Sequence, residues 1–421
     1  VTLTTLSLRA GRRSGAGRGG EGAVTVAAPA GRAVSCRRDA ARLRDLTAVM
    51  CAFGVAMVLA VSPVVSITEY GSVWSLFERQ VMWLAIGAMA AFVTARIRLA
   101  TWQRRAVLLL VLSMTMLLAV LVHGVGTSAG GSSRWIGAGP VELQPSELAK
   151  LAFVVFAADL MARRATASDQ LRAVLRPLAI VLGAAVLLIL RQPDLGTALL
   201  LVCAALAMCW AGGIDRRLLA AAFAAAGLVA VVGAIAAPYR RARLLAFLDP
   251  FGHASTSGYQ LVQSLLALGS GRVLGAGVGG SPATWGLLPN AQTDFIFPVV
   301  GNELGIAGTL AILAGFALFA WLGLRIAARA ADRFSMLLAV GITASIVGQA
   351  LINIGGVVAV LPETGVPLPF VSFGGSSLVV TLIGCGLLCR IAREAAVAAE
   401  RAERQPPRPG APAPARARPR R

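Results

Sequence analysis

The sequence predicts an all-α membrane protein: a polytopic bundle of about ten transmembrane helices with one long extracytoplasmic loop. Three observations lead there. The 421 residues are 57% hydrophobic and only 14% charged, whereas a soluble domain carries about 25% charged residues. Ten apolar runs approach or reach the ~20 residues that span a hydrocarbon core. The net charge of +20 gathers at the two ends: residues 1–45 and 390–421 each hold nine Arg against three acids. An ordinary soluble enzyme is therefore excluded. Basic ends around an apolar centre fit an anionic cytoplasmic leaflet better than a nucleic acid, and no nucleic-acid partner is expected.

The elements follow in order. Residues 1–45 read as a basic, disordered cytoplasmic tail. They have no compact apolar core before a small-residue cleavage site, so no cleavable signal peptide is read there. The run 46–66 then acts as an uncleaved signal anchor. Further spans are 80–95, 106–123, 146–162, 177–190, 196–213, 217–237, 295–323, 335–358 and 371–389, giving a membrane domain over 46–390. With the N-terminus inside, the inner loops hold Arg96, Arg98, Arg104, Arg105, Arg163, Arg164, Arg325 and Arg329, while the short outer loops keep chiefly Arg79 and Arg134. This is the positive-inside pattern. An even number of spans also places the second tail, 391–421, in the cytoplasm, and its Pro- and Arg-rich composition predicts disorder.

The long outer loop is 238–294. Arg240, Arg241 and Arg243 stand beside Leu244, Leu245, Phe247 and Leu248, which predicts a short interfacial helix whose cations meet lipid phosphates. The six cysteines lie in the basic tail or in apolar runs, so no disulfide framework is expected.

Several chemistries lack their residues. Gly275-Ala-Gly-Val-Gly-Gly280 has the letters of a dinucleotide fingerprint without the flanking strand and helix, and reads as a turning loop. There is no Walker A sequence and no His-Glu-x-x-His, and the histidines are His123 and His253 alone. An ATP-driven transporter and a His-based catalytic or zinc site are unsupported.

Ionisable residues near apolar runs say more, because they are costly in a bilayer. Gln144-Pro-Ser-Glu-Leu-Ala-Lys150 opens the fourth span, with Pro145 in the first turn. Glu147 and Lys150, the one lysine of the chain, are three apart and share a helix face. They form either a bundle-stabilising ion pair or a site whose cation serves an anionic ligand or tunes a carboxylate. Arg134-Trp135 suits a headgroup-level anchor. Asp194 either caps the sixth helix or has a functional role. Asp294 lies where the long loop enters the eighth span. Beside Phe295 and Phe297 its solvation is restrained and its pKa raised, which suits a general base; helix capping is the alternative. Glu303, deeper in the same span, needs a partner. Gly374-Gly-Ser-Ser377 either forms an anion-binding nest or a plain turn. Arg134, Lys150, Asp194, Asp294 and this last segment all fall at outer helix ends. Such rim clustering favours chemistry on a lipid headgroup over transport through a midplane site.

Seven segments in order resemble the SEDS family (shape, elongation, division and sporulation), most closely its FtsW-type members. They are Arg134-Trp-Ile136, Gln144–Lys150, Gln192-Pro-Asp-Leu-Gly-Thr197, Phe247-Leu-Asp-Pro250, Gly258-Tyr-Gln260, Thr293-Asp-Phe-Ile-Phe297 and Pro367–Ser377. They cover roughly 130–390, and the span count extends the match to about 45. The resemblance implies ten transmembrane helices and an inverting peptidoglycan glycosyltransferase that polymerises lipid II at the outer face of the bacterial inner membrane. Its implied partners are lipid II, the lipid-linked glycan strand, a class B penicillin-binding protein that cross-links the strands, and other division proteins. The family's catalytic aspartate maps onto Asp294, and its polar cavity residues onto Glu147, Lys150, Asp194 and Arg134. Gln144, Thr293, Ser376 and Ser377 join them as substrate-binding candidates. Two positions depart from the family: Gln292 stands where His is common, and Asn302-Glu303 where Glu-Glu is common.

The expected reaction starts with Asp294 taking the proton of a sugar 4-hydroxyl. That hydroxyl attacks the anomeric carbon of the growing strand and displaces undecaprenyl pyrophosphate, whose charge Lys150 and outer-loop arginines stabilise. No cofactor is evident; a divalent cation is possible where carboxylates meet pyrophosphate, although no ligand set stands out. Glu363-Thr-Gly-Val-Pro367 and the Phe-Val-Ser-Phe that follows look more FtsW-like than RodA-like, a resemblance that implies septal wall synthesis in cell division. The competing readings are a lipid II flippase, an elongation or sporulation paralogue, and a non-enzymatic division scaffold.

Overall fold

The computed structural model describes residues 29–122, 126–129, 132–138, 141–164, 169–235, 238–281 and 287–404. Residues 1–28 and 405–421 of the expected tails, His123 and residues 282–286 of the long loop lie outside the described residues. Each of the ten apolar runs is a helix: α1 (Pro29–Val61), α3 (Ser75–Thr94), α5 (Ala106–Val120), α6 (Pro145–Arg163), α7 (Arg176–Arg191), α8 (Leu195–Ala211), α9 (Arg216–Ile235), α12 (Ile296–Arg329), α13 (Arg333–Val357) and α14 (Ser376–Arg404). Short helices α2 (Pro63–Tyr70), α4 (Leu99–Arg104), α10 (Pro238–Leu248) and α11 (Tyr259–Ser270) connect them. Among the described residues six helices are long and apolar enough to cross a membrane: α1, α3, α7 with the turn before it, α12, α13 and α14. Helices α5 and α8 are apolar but shorter, at 15 and 17 residues. Helix α6 carries four charges, Glu147, Lys150, Asp159 and Arg163.

Three expectations about boundaries change. The first tail is not irregular up to residue 45, because α1 begins at Pro29. Ala33, Cys36, Ala40 and Leu43 recur at helical spacing and are buried, and Cys36 clusters with Ala395 and Ala396 of α14. The second tail likewise stays helical from 391 to Arg404. Finally, the span between α5 and α6 is not wholly helix and loop. It holds a small antiparallel sheet of β1 (Thr127–Ala129), β2 (Ser132–Ala138) and β3 (Val141–Leu143), in that order. Its β-favouring Trp135, Ile136 and Val141 sit in a segment too short and polar to span.

Helix α1 packs along α14, α14 along α3, and α12 along α13, while α13 also meets α8 and α6. Phe153, Phe295, Phe319 and Phe370 are fully enclosed, and Phe370 lies 5.6 Å from the Phe319 ring and 6.3 Å from Phe316. Density of this kind resists small shifts, so the helix ends are held in fixed relation. At the end of the bundle where α1 begins and α14 finishes, buried Asp39 of α1 pairs with Arg325 at 3.1 Å and with Arg329, both from α12. The opposite end, where the sheet and the long loop lie, holds the polar candidates.

Candidate functional site

A cavity of about 790 Å³ opens at that loop end. The starts of α6 and α8, the turn before α12, strand β2, helix α10 and the segment between α13 and α14 all reach it. Asp294, Glu363, Arg243, Arg134, Asp194 and Gln144 carry its polar chemistry.

Helix α6 starts after Gln144, whose backbone N–H donates to Ser376 Oγ at 3.1 Å. Its side chain donates to Asp194 Oδ2 at 3.2 Å, and Ser146 Oγ donates to the same oxygen at 3.5 Å. Asp194 Oδ1 accepts from the Thr197 N–H at 3.0 Å and so caps α8. Capping and cavity lining are thus one arrangement rather than alternatives. Arg134 does not stand out as a headgroup anchor. Its Nε and Nη2 donate to the carbonyls of Gln192 and Pro193, each at 2.8 Å, and tie β2 to the α7–α8 turn. Two carbonyls left free by a tight turn are strong acceptors for a guanidinium.

Asp294 precedes α12, whose cap position is Phe295, and its side chain caps nothing. Its backbone is pinned instead: Asn353 Nδ2 donates to Asp294 O at 2.8 Å and to Val366 O at 2.7 Å. Ser372 Oγ donates to Thr293 O at 2.5 Å, and the Phe373 N–H to Gln292 O at 2.9 Å. The carboxylate is left facing the cavity beside Gly365. Enclosure by protein pushes its pKa up, and the nearby Glu363 carboxylate pushes it further. Arg243 and Arg134 pull it down and Asp194 raises it again, for a value of about 7. Burial also raises Glu363, which Arg243 opposes. Arg243 stands 3.7 Å from Glu363 and is half-buried. The expected interfacial helix is therefore present as α10, but this arginine turns inward to a carboxylate rather than outward to lipid phosphate.

Thr293 and Ser376 line the cavity with the residues above; Lys150 and Ser377 do not. Lys150 lies behind its wall, with Nζ 2.9 Å from Glu147 Oε1 and donating to Gln349 Oε1 at 2.7 Å. Both partners occupy its charge, as the ion-pair reading expected, so it does not present a bare ammonium to the cavity. Glu147 reaches the cavity and also a pocket of about 30 Å³ beside Lys150. Ser377 Oγ accepts from Gln349 Nε2 at 3.4 Å. Among the described residues no three of His, Cys, Asp and Glu come close enough to hold a metal ion.

Sequence reasoning named Arg243 only as one of several outer-loop arginines, gave Glu363 no role at the site and passed over Gln349 and Asn353. The last two had a signal: two amides four apart in the apolar run 335–358 require partners. The Arg243–Glu363 pairing, 120 residues apart in the chain, had none. Of the departing positions, Gln292 packs behind the Thr293–Asp294 turn, and its Oε1 has no partner among the described residues. Asn302 donates to Ala267 O at 2.9 Å, a bond that an ionised Glu there would be unable to make.

Most of the chain, not the site alone, is similar to known proteins. The sequence profile of the FtsW/RodA/SpoVE family, described as cell cycle proteins, matches residues 41–397. A probable peptidoglycan glycosyltransferase FtsW of Mycobacterium bovis is 38% identical over 361 residues, covering 85% of this chain and 69% of that one. Another protein of that name, from Thioalkalivibrio sp., is 38% identical over 393 residues, covering 92% and 98%. Among solved structures, a chain from a peptidoglycan synthase complex that coordinates polymerization and crosslinking superposes with a TM-score of 0.70. It is 28% identical and covers 84% of this chain and 97% of that one.

Proposed function

The chain belongs to the FtsW/RodA/SpoVE family of cell cycle proteins, and from that premise we propose that it is an inverting peptidoglycan glycosyltransferase that polymerises lipid II during septal wall synthesis. One observation carries the reading to this chain's own chemistry: Asp294 opens onto a cavity large enough for sugar rings, with a pKa of about 7. A carboxylate at that value is both available as a base near neutrality and able to hold the proton it takes.

The reaction follows. Asp294 accepts the proton of the 4-hydroxyl of incoming lipid II as that oxygen bonds to the anomeric carbon of the lipid-linked strand. The bond from that carbon to the pyrophosphate breaks on the opposite face, with inversion, and undecaprenyl pyrophosphate leaves. Arg134 and Arg243 face the same cavity and stabilise the charge that develops on it. Gln144, Thr293 and Ser376 offer hydrogen bonds to substrate, Asp194 orders the wall they stand on, and Lys150 with Ser377 braces Glu147 and Gln349 from behind. In the membrane the loop end faces outward and both termini face the cytoplasm. A class B penicillin-binding protein takes the polymer for cross-linking, and other division proteins place the pair at the septum.

The test is glycan formation from labelled lipid II by the purified chain with its cognate transpeptidase, native against Asp294→Ala. Polymer from the native protein only is expected. Equal polymer from both would remove the assignment of Asp294. Movement of lipid II across vesicles without polymer would replace the enzyme by a flippase.

A further inference from the structure

Glu303 is a carboxylate that the reaction above does not use. It is fully buried in α12, nine residues beyond Asp294, and does not line the cavity. Two residues later the helix breaks: Gly305 has φ 66° and ψ −158°, a conformation open essentially to glycine alone. A broken helix frees backbone groups that need partners, above all at membrane depth.

The 271–280 loop supplies them. The Ala276 N–H donates to Asn302 O at 2.8 Å, the Gly277 N–H to Glu303 O at 3.0 Å, and the Ile306 N–H to Arg272 O at 3.2 Å. The side chain of Glu303 completes the set, its Oε1 accepting from the Gly279 N–H at 3.1 Å. The approach is backbone to backbone. A Cβ on Gly275 would strike the Glu303 carbonyl, and one on Gly305 would strike that of Val273. The glycine run that mimics a nucleotide fingerprint is therefore the strap over a helix break. Between strap and Asp294 stand the nine residues Ile296–Leu304, a rigid rod of about 13 Å. Asn353 holds its far end at the Asp294 carbonyl.

We propose that Glu303 is a positioning residue for Asp294: by accepting the Gly279 N–H it locks the 271–280 loop onto the break in α12 and fixes the height and rotation of the helix start that carries the base. The proposal rests on the reading of Asp294 as general base. It follows from the sensitivity of proton transfer to placement, where a shift of about 1 Å costs on the order of 10²-fold.

The test measures kcat and KM for lipid II, the pH–rate profile and thermal unfolding. It compares the native chain with Glu303→Ala, Glu303→Gln and Asp294→Ala, each with the transpeptidase partner. Glu303→Ala should lower kcat about tenfold or more with KM within about twofold, and should move the pH–rate limb, at temperatures where the protein is fully folded. Glu303→Gln keeps an acceptor for Gly279 and should stay within about threefold of native. If Glu303→Ala does not fold, Glu303→Asp replaces it, because it withdraws the oxygen while keeping the charge, and the same loss is expected. The proposal is overturned by native kcat in the folded variant, by a loss that only tracks the folded fraction, or by a change confined to KM. Equal damage from Glu303→Gln and Glu303→Ala also overturns it. Full activity of Asp294→Ala would instead remove the premise, an outcome that needs no Glu303 variant to recognise.

Discussion

Asp39 and Asp294 make an instructive pair. Asp39 lies in the first third of α1 and Asp294 just before α12, at opposite ends of the bundle. Asp39 is enclosed, 1% exposed, and gripped by Arg325 and Arg329 from a neighbouring helix. Asp294 has two arginines within electrostatic reach, yet its carboxylate opens onto a cavity and its backbone, not its side chain, is what the fold holds. The first carboxylate is spent on joining α1 to α12. The second is kept available, and burial, with a neighbouring carboxylate, keeps its proton affinity high. What separates structural from chemical use is where the fold spends its hydrogen bonds.

The contrast can be broken most severely by exchanging the two deletions. Asp294→Ala should lower polymerisation by at least about 10²-fold while leaving the melting temperature of the detergent-solubilised protein no lower than native. Asp39→Ala should do the reverse. Leaving two arginines facing a buried gap should cost about 3 kcal/mol, read as a lower melting temperature with polymerase activity per folded molecule retained. If Asp39→Ala is neutral to stability, the two ends do not differ in the way described.

The pH dependence sharpens the comparison. Polymerisation should rise with pH through an apparent pKa of about 7, the value for Asp294. Glu363→Gln removes a charge that raises it and should move the limb to lower pH; Arg243→Ala removes one that lowers it and should move the limb up. Stability follows with the opposite sense from a salt-bridged acid. A carboxyl whose folded pKa is raised from 3.8 to about 7 holds its proton more tightly in the folded state, so it contributes nothing below pH ~4, destabilises progressively as pH rises from there to about 7, and costs a constant amount above it. Asp294→Asn should accordingly melt with native protein at pH 4 and above it at pH 8. Coincident melting at both values would remove the pKa argument.

The smallest effect belongs to an ordinary cap. Asp332 accepts from the Ser335 N–H at 2.9 Å at the start of α13. Asp332→Ala should cost about 1 kcal/mol with no change in the pH–rate limb.

Much of this was legible in the chain. Apolar runs located ten helices because bilayer thickness sets their length. The three-residue spacing of Glu147 and Lys150 gave their pairing, and the Phe-flanked Asp294 gave its raised pKa. Local signals failed where the partner is distant. Arg243 reads as an interfacial cation until α10 folds back on Glu363. The helix over 29–45 reads as tail because its buried alanines and cysteine are diluted among arginines that face outward. The glycine loop was read correctly as a turn, but no spacing rule links Gly279 to Glu303.

Helix α14 runs unbroken from Ser376, in the cavity wall, to Arg404 beside the second tail. At 1.5 Å per residue its 29 residues make a shaft of about 44 Å, journalled against α1 along its length. A shaft transmits torque and thrust with little loss. Rotation of its arginine-rich end would be carried toward Ser376, to which the Gln144 N–H is bonded. The molecule therefore joins the cavity wall to the end of the bundle where α1 begins by one continuous helix.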